Sequence, residues 1–201
     1  MKVLFLGGQG SKELFNWLTE QGEEVFYTED KITVEGLNKL RPDIIVSYNY
    51  RYIIKKEIID FVKGNAVNLH ISYLPYNKGA HPNVWSFLED TPKGVTIHCI
   101  DEGIDTGKII VQKEVAIDED RETLKSSYEF LHAEMRSLFK ETWDQIKSGA
   151  IMPRDQEGHG TLHFMRDFVK IEPLIKEKGW DTPISELKRR YAVITALSTA
   201  K

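Results

Sequence analysis

Apolar positions along this chain follow two rhythms, short continuous runs and stripes at helical spacing. Residues 2–6 are an apolar run ending at Gly7-Gly8-Gln9-Gly10-Ser11. Such a run predicts a strand buried on both faces, then a turn at a helix N-terminus. Leu14, Phe15 and Leu18 form the inner stripe of that helix, with Ser11 as its expected N-cap and Gly22 as its stop. Residues 24–28 predict a second strand and 31–40 a weaker helix stopped by Arg41-Pro42. Residues 44–47 read as a third buried strand, and 55–62 as a short helix capped by Gly64. Residues 66–70 are a fourth strand, with Val67 and Leu69 on one face and Asn68 and His70 on the other. A helix opens near Pro82, with Val84, Trp85 and Leu88 expected to pack inward. Residues 95–100 form a further strand, and 108–117 one with imperfect alternation.

A long helix is expected over 121–147, capped by Asp118–Asp120, with Leu124, Tyr128, Leu131, Met135, Leu138 and Trp143 as its core stripe. Residues 153–161 read as loop, 160–164 as a short edge strand and 184–197 as a terminal helix. Strands alternating with helices predict an α/β fold on a mostly parallel, doubly wound sheet. Residues 1–150 are expected to form the catalytic domain, and 151–201 an extension packed on it.

The 201 residues suffice for one core of ordinary size. Apolar residues are 41% and charged residues 29%, the balance of a globular chain. The net charge of −4 and the absence of a basic stripe disfavour a nucleic-acid partner, while leaving room for a small anionic ligand. One cysteine, Cys99, allows no internal disulfide and no Cys-x-x-Cys metal pattern, which suits a reducing cytoplasm. No apolar run is long enough for a leader or a membrane span, so no membrane partner is expected. A homodimer is compatible with all of this.

Candidate chemistry concentrates between residues 68 and 107. Asn68 and His70 share a strand face, and the polar turn 101–107 can return the Asp105 carboxylate to it. An amide, an imidazole and a carboxylate meeting at strand ends suit acyl transfer. His98 shares a face with Thr96 and Ile100; with His70 it lacks the spacing of a full metal set, so no metal is expected and His98 is read as supporting the site. The glycine loop does not complete G-x-G-x-x-G, because Lys12 and Glu13 follow Gly10, and a Walker lysine-serine pair is missing. Gly8 and Gly10 are either a plain turn or a cradle for a substrate phosphate. Tyr50 to Ile54 is either an aromatic loop packed on the sheet or a ligand edge at a strand's carboxyl end. Tyr76-Asn77-Lys78-Gly79 looks polar and exposed. Lys78 either meets a substrate anion or is solvated, Asn77 and Asn83 are candidates for the substrate side, and His81 is open.

N-x-H-x-S-x-L-P from Asn68, K-G-x-x-P-x-x-W from Lys78 and G-x-T-x-H-x-x-D-x-x-x-D-x-G from Gly94 run in order through this stretch. Together they resemble the signature of the folate-dependent formyltransferases. That family includes the glycinamide ribonucleotide, methionyl-tRNA and sugar N-formyltransferases and the formylation domains of peptide synthetases. The resemblance implies a Rossmann-like formyltransferase fold, with Asn68, His70 and Asp105 as catalytic residues and N10-formyltetrahydrofolate as co-substrate. It places the pterin against Arg51, Tyr52, Ile53 and Ile54 and beside Ile100, Asp101 and Gly103. The glycine loop, with Tyr50, Asn77, Lys78, His81 and Asn83, is then the acceptor side. The residues after Gly149 are too few for the C-terminal barrel of the larger tRNA-acting relatives, and the chain opens at Met1. The expected acceptor is therefore a nucleotide-linked amino sugar. The alternatives are an aminoacyl group on a carrier protein, or water, which would make the chain a formyltetrahydrofolate hydrolase.

Overall fold

The computed structural model describes residues 1–8 and 10–199; Gln9, a member of the glycine turn, lies outside them. The elements in chain order are β1 (Lys2–Leu6), α1 (Lys12–Glu20), β2 (Glu24–Thr28), α2 (Val34–Leu40), β3 (Ile44–Tyr48), α3 (Lys56–Phe61) and β4 (Ala66–His70). Then come β5 (Lys78–Gly79), α4 (Pro82–Leu88), β6 (Gly94–Cys99), β7 (Ile109–Glu114), α5 (Leu124–Ser148), β8 (Leu162–His163), α6 (Met165–Ile171) and α7 (Ile184–Thr199). Six strands form one sheet in the order β2-β1-β3-β4-β6-β7. β1, β2, β3 and β4 pair in parallel, whereas β6 runs antiparallel to β4. This is the mostly parallel α/β sheet expected, and β4 is an interior strand of it.

The chain divides into two compact units. The first comprises Met1–His70, Thr96–Gln112 and Arg136–Gln156; the second comprises Ile71–Val95, Lys113–Met135 and the chain from Glu157 onward. Residues 151–156 belong to the first unit.

In the first unit, Leu4, Leu6, Leu37, Ile45, Ile58 and Ala66 belong to one buried cluster. β1 and β3 read as uninterrupted apolar runs because both of their faces are covered. Helix α2 begins three residues later than its apolar pattern suggests. The reason is Thr33, whose hydroxyl accepts from the Gly36 N–H at 3.2 Å and sets the first turn there. Ser11, the expected cap of α1, instead turns its hydroxyl back on the preceding loop. It accepts from the Gly8 N–H at 3.0 Å and donates to the Gly8 carbonyl at 2.7 Å.

In the second unit, Val84, Trp85, Phe87, Leu124, Phe168 and Leu187 are part of another buried cluster. Lys78–Gly79 and Leu162–His163 pair as a two-stranded parallel ribbon, the form taken by the expected short strand at 160–164. The start of α5 departs from expectation. The Asp118 carboxylate accepts from the nearby Asp120 N–H, outside the helix, and the cap is Thr123. Thr123 Oγ1 accepts from the Ser126 N–H at 3.1 Å, while Ser126 Oγ accepts from the Thr123 N–H at 2.9 Å, a reciprocal capping box. Thr123→Ala is expected to cost about 1 kcal/mol in denaturant unfolding, the usual value of a lost N-cap. An unchanged midpoint would remove Thr123 from that role. Tyr128, expected in the core stripe, stands at its edge with its ring against His132 at 4.2 Å. Phe139 and Ile146 fill the buried stripe farther along the helix, beside Trp143.

Candidate active site

Strand β4 lies between a parallel and an antiparallel neighbour, and its register decides which side chains meet. Asn68 sits opposite Ser47 on β3 and opposite His98 on β6, and His70 sits opposite Thr96. Cross-strand partners point to the same face of a sheet. The face that carries Asn68 and His70 therefore also carries His98 and Thr96. After β6 the chain makes the turn 101–107, with Asp105 in the left-handed region at φ 52°. Among L-residues other than glycine, Asp and Asn tolerate that region best.

The turn brings its carboxylate to the strand face. Asn68 Nδ2 donates to Asp105 Oδ1 at 3.1 Å, and His70 Nδ1 lies 3.6 Å from Asp105 Oδ2. His98 Nε2 lies 3.2 Å from Asn68 Nδ2 and 3.4 Å from Asp105 Oδ1. His98 Nδ1 is 2.8 Å from the Cys99 carbonyl, which can only accept, so Nδ1 carries a proton; with Nε2 unprotonated, that nitrogen accepts from Asn68. Both hydrogens of the Asn68 amide are then directed, one at Asp105 and one at His98, which fixes the orientation of that amide. The supporting residue expected on this face, His98, thus lies against the Asn68 amide. His70 and His98 are buried and the Asp105 side chain is 13% exposed, so the cluster is shielded but reachable. Low water content strengthens charge interactions among such groups. Cys99 stands opposite Val67, on the other face, and burial pushes its thiol pKa up.

The turn is braced from within. Asp101 Oδ1 accepts from the Gly103 N–H at 3.0 Å and from the Thr106 hydroxyl at 2.6 Å. A Cβ on Gly107 would stand 1.7 Å from the Cys99 carbonyl, so only glycine allows this close return to β6. The Ile100 N–H is used on the Ala66 carbonyl. Asp101 and Ile100 thus shape the turn, whatever else they meet.

Residues 51–54 come after β3, at its carboxyl end. Among the described residues, no protein group bonds the backbone N–H or C=O groups of this segment. Ile53 is 72% exposed, while Ile54 is buried. Ile53 and Ile54 wall a cavity of about 250 Å³, with Ile32, Tyr50, Lys31 and Lys55 among its other walls. The Arg51 guanidinium lies over the Tyr52 ring and bonds its hydroxyl at 2.7 Å. An open backbone edge beside an apolar wall fits a flat heterocycle with donors and acceptors on its rim. Tyr50, expected toward a substrate, commits its hydroxyl internally. It donates to the Asp30 carbonyl at 2.7 Å and accepts from the Ile32 N–H at 3.1 Å. Gly8 approaches the same segment: a Cβ there would meet the Asn49 carbonyl at 1.9 Å. Gly10 has positive φ and open space around it.

The remaining sequence candidates belong to the second unit. The turn 76–79 is not the exposed polar loop expected. Asn77 is fully buried; its Nδ2 donates to Glu89 at 2.9 Å and its Oδ1 accepts from Thr91 at 2.7 Å. Asn83 is buried and donates to the Leu124 carbonyl at 3.4 Å. Both are internal amides rather than surface contacts, because a buried amide needs partners within the fold. Lys78 is half-buried on the ribbon. His81 stacks on Phe168 at 3.9 Å and on Trp180 at 5.5 Å, and burial lowers its pKa, with Glu172 opposing. Trp85 is core, stacked on His163 at 3.9 Å.

Gln156 went unread in the sequence: its Nε2 donates to the Asp105 and Gly107 carbonyls at 2.8 and 2.9 Å. Nothing in its neighbourhood of charged and glycine residues marks it, since its partners lie 51 and 49 residues away. Among the described residues, no group of three or more His, Cys, Asp or Glu side chains is arranged to hold a metal ion. No helix among them is long and apolar enough to cross a membrane.

Comparison with known proteins points the same way. The family model described as formyl transferase matches residues 20–142. The formyltransferase PseJ from Anoxybacillus kamchatkensis was solved in complex with UDP-4,6-dideoxy-4-formamido-L-AltNAc and tetrahydrofolate. It is 46% identical, with a TM-score of 0.86 over 93% of this chain and 97% of that one. Methionyl-tRNA formyltransferase of Thermodesulfovibrio yellowstonii is 39% identical over 66% of this chain and 43% of its own length. The dTDP-4-amino-4,6-dideoxyglucose formyltransferase of Mycobacterium tuberculosis H37Rv is 34% identical over 69% of this chain and 58% of its own. The chain thus spans about half the length of these two curated relatives. With a family match across more than half of its residues, and the Asn68–His70–Asp105 cluster on its sheet face, the chain belongs to the formyl transferase family.

Proposed function

We propose that this chain moves the formyl group of N10-formyltetrahydrofolate to the amine of a nucleotide-linked amino sugar. The observation that carries the chemistry is the approach of the Asp105 carboxylate to within 3.6 Å of both Asn68 and His70, which share one sheet face. As the acceptor amine forms its bond to the formyl carbon, negative charge grows on the formyl oxygen. The His70 ring supplies one hydrogen bond that stabilises it, and the Asn68 amide supplies another by turning to the formyl oxygen the hydrogen that otherwise points at Asp105. With His70 Nδ1 facing Asp105, Nε2 is the atom assigned to that oxygen. Asp105 takes the proton shed by the amine and returns it to the folate nitrogen as the carbon–nitrogen bond to the donor breaks. His98 holds the Asn68 amide in the donating orientation throughout. The open backbone edge at 51–54 is the part of the chain assigned to the pterin ring, and the loop around Gly8 and Gly10 to the acceptor.

Support for a sugar acceptor comes from PseJ, similar over nearly the full length of both chains and solved with a UDP-linked formamido sugar. The test is incubation with N10-formyltetrahydrofolate and a panel of UDP- and dTDP-linked 4-amino and 3-amino sugars. The expected product is one sugar nucleotide heavier by one carbonyl group. Formate released at the same rate with no amine present would make the chain a hydrolase instead. Formylation of a carrier-bound aminoacyl thioester, with every sugar left unmodified, would move the acceptor assignment.

A further inference from the structure

We propose that Gln156 is a positioning residue for formyl transfer: its side-chain amide aims the Asp105 carboxylate by holding the backbone at Asp105 and Gly107, the second half of the turn that carries it. This rests on Asp105 being the carboxylate that handles the amine proton.

Gln156 Nε2 spends both hydrogens on this turn, at 2.8 Å to the Asp105 carbonyl and 2.9 Å to the Gly107 carbonyl. The bond to Asp105 falls on the residue held at φ 52°, a conformation that a side-chain-bearing residue keeps only when its surroundings impose it. Asp101 braces the inner side of the turn, and Gln156 is the brace from outside it. The position of Gln156 is itself set by pairing. Arg154 and Ile109 exchange backbone hydrogen bonds at 2.8 and 2.9 Å. The chain therefore arrives in register two residues before Gln156.

The other end of the amide is informative. Gln156 Oε1 is buried without a hydrogen-bond partner. An unsatisfied buried acceptor is costly, and a flipped amide would set its oxygen against two carbonyl oxygens. The fold accepts an orphan oxygen to keep Nε2 on the turn, which is the signature of a residue kept for orientation. What it orients is close: Asp105 Oδ1 is 3.1 Å from Asn68 and Oδ2 is 3.6 Å from His70. A shift of about 1 Å in a reacting group costs on the order of a hundredfold in rate.

The test compares wild type with Gln156→Ala, the same-sized Gln156→Glu, Asp105→Asn, and Arg154→Ala as a neighbour control. Steady-state kinetics with N10-formyltetrahydrofolate and the accepted amine are measured, and the ring titrations of His70 and His98 in the free protein are followed by NMR, with His70→Gln used to assign them. In Asp105→Asn the His70 midpoint moves to lower pH, because an opposite charge is removed. Gln156→Ala and Gln156→Glu are expected to move it part of the way and to lower kcat about tenfold or more, with KM for the amine within about twofold. Arg154→Ala stays within about twofold in both parameters. If Asp105→Asn shifts the titration and abolishes turnover while both Gln156 variants match wild type, the clamp is wrong and the carboxylate assignment stands. If Asp105→Asn changes neither readout, the carboxylate assignment itself falls. A Gln156 variant that loses kcat only in step with lost melting stability, with the His70 titration unmoved, also overturns the proposal.

Discussion

Asp105→Asn and His70→Ala proteins, assayed with N10-formyltetrahydrofolate and an accepted amine, should each lose a hundredfold or more in kcat. That is roughly the loss seen when one donor to a developing oxyanion is removed, about 2.7–4 kcal/mol of barrier. The two losses have different sources. His70 is assigned to the growing charge on the formyl oxygen, so its removal raises the barrier while the ground state still binds. Asp105 is assigned to the proton, and an amide in its place can neither take nor return one. Asparagine is the informative replacement there, because it tolerates φ 52° about as well as aspartate does. The turn should persist, since Asp101, Thr106 and Gln156 hold it by bonds that do not involve the Asp105 side chain. KM for both substrates should therefore move little, the pattern of an interaction made only at the barrier. A purified, folded Asp105→Asn enzyme with wild-type turnover would exclude this carboxylate from the reaction.

The second large effect concerns stability. The Glu23 carboxylate is only 4% exposed, and three donors converge on it. These are the N-terminal ammonium of Met1 at 2.6 Å, Trp143 Nε1 at 3.1 Å and Lys147 Nζ at 3.0 Å. Burial pushes the pKa of this acid up, but the three bonds together outweigh it and draw the value down to about 2 from an ordinary 4.5. A carboxyl group with a depressed native pKa contributes stability in full above its unfolded pKa. That contribution fades as pH falls through the native one. The window is thus about pH 5 down to about 2. Because Lys147 and Met1 are partly exposed, the contribution is on the order of 2–3 kcal/mol. Glu23→Gln should lose that amount at neutral pH, and its unfolding free energy should depend less on pH across the window. Denaturant melts at several pH values measure both curves. Parallel curves for the two proteins would show that Glu23 ionisation does not stabilise this fold.

How far the residues disclosed the fold depended on how local each signal was. β1, β2 and β4 lie where their apolar runs or alternation put them, because one or two faces must be buried and the strand period is two. The pairing of Asn68 with His70 was legible for the same reason. The outcome at Asn77 was not, because its polarity suggests solvent. It is instead buried, held by the Glu89 carboxylate and the Thr91 hydroxyl, partners that only the fold brings beside it. Ser11 and the acids at 118–120 have the right chemistry for helix caps, yet cap neither helix, since several small polar side chains near a helix start compete for its amides. Tyr128 matches helical spacing, but its hydroxyl lets the ring sit at the rim of the buried stripe. Gln156 is the extreme case: a loop amide becomes meaningful only when the turn 101–107 lies beside it.

The pairing of β6 with β4 carries a consequence for how this chain tolerates insertions and deletions. Adding or removing one residue within Gly94–Cys99 would invert the strand, turning Cys99 and Ile97 toward Asn68 and His70 and sending His98 and Thr96 to the opposite side. Composition and hydropathy would barely change, yet the imidazole that orients Asn68 would be gone. Length changes compatible with turnover are therefore confined to the connections outside this antiparallel pair.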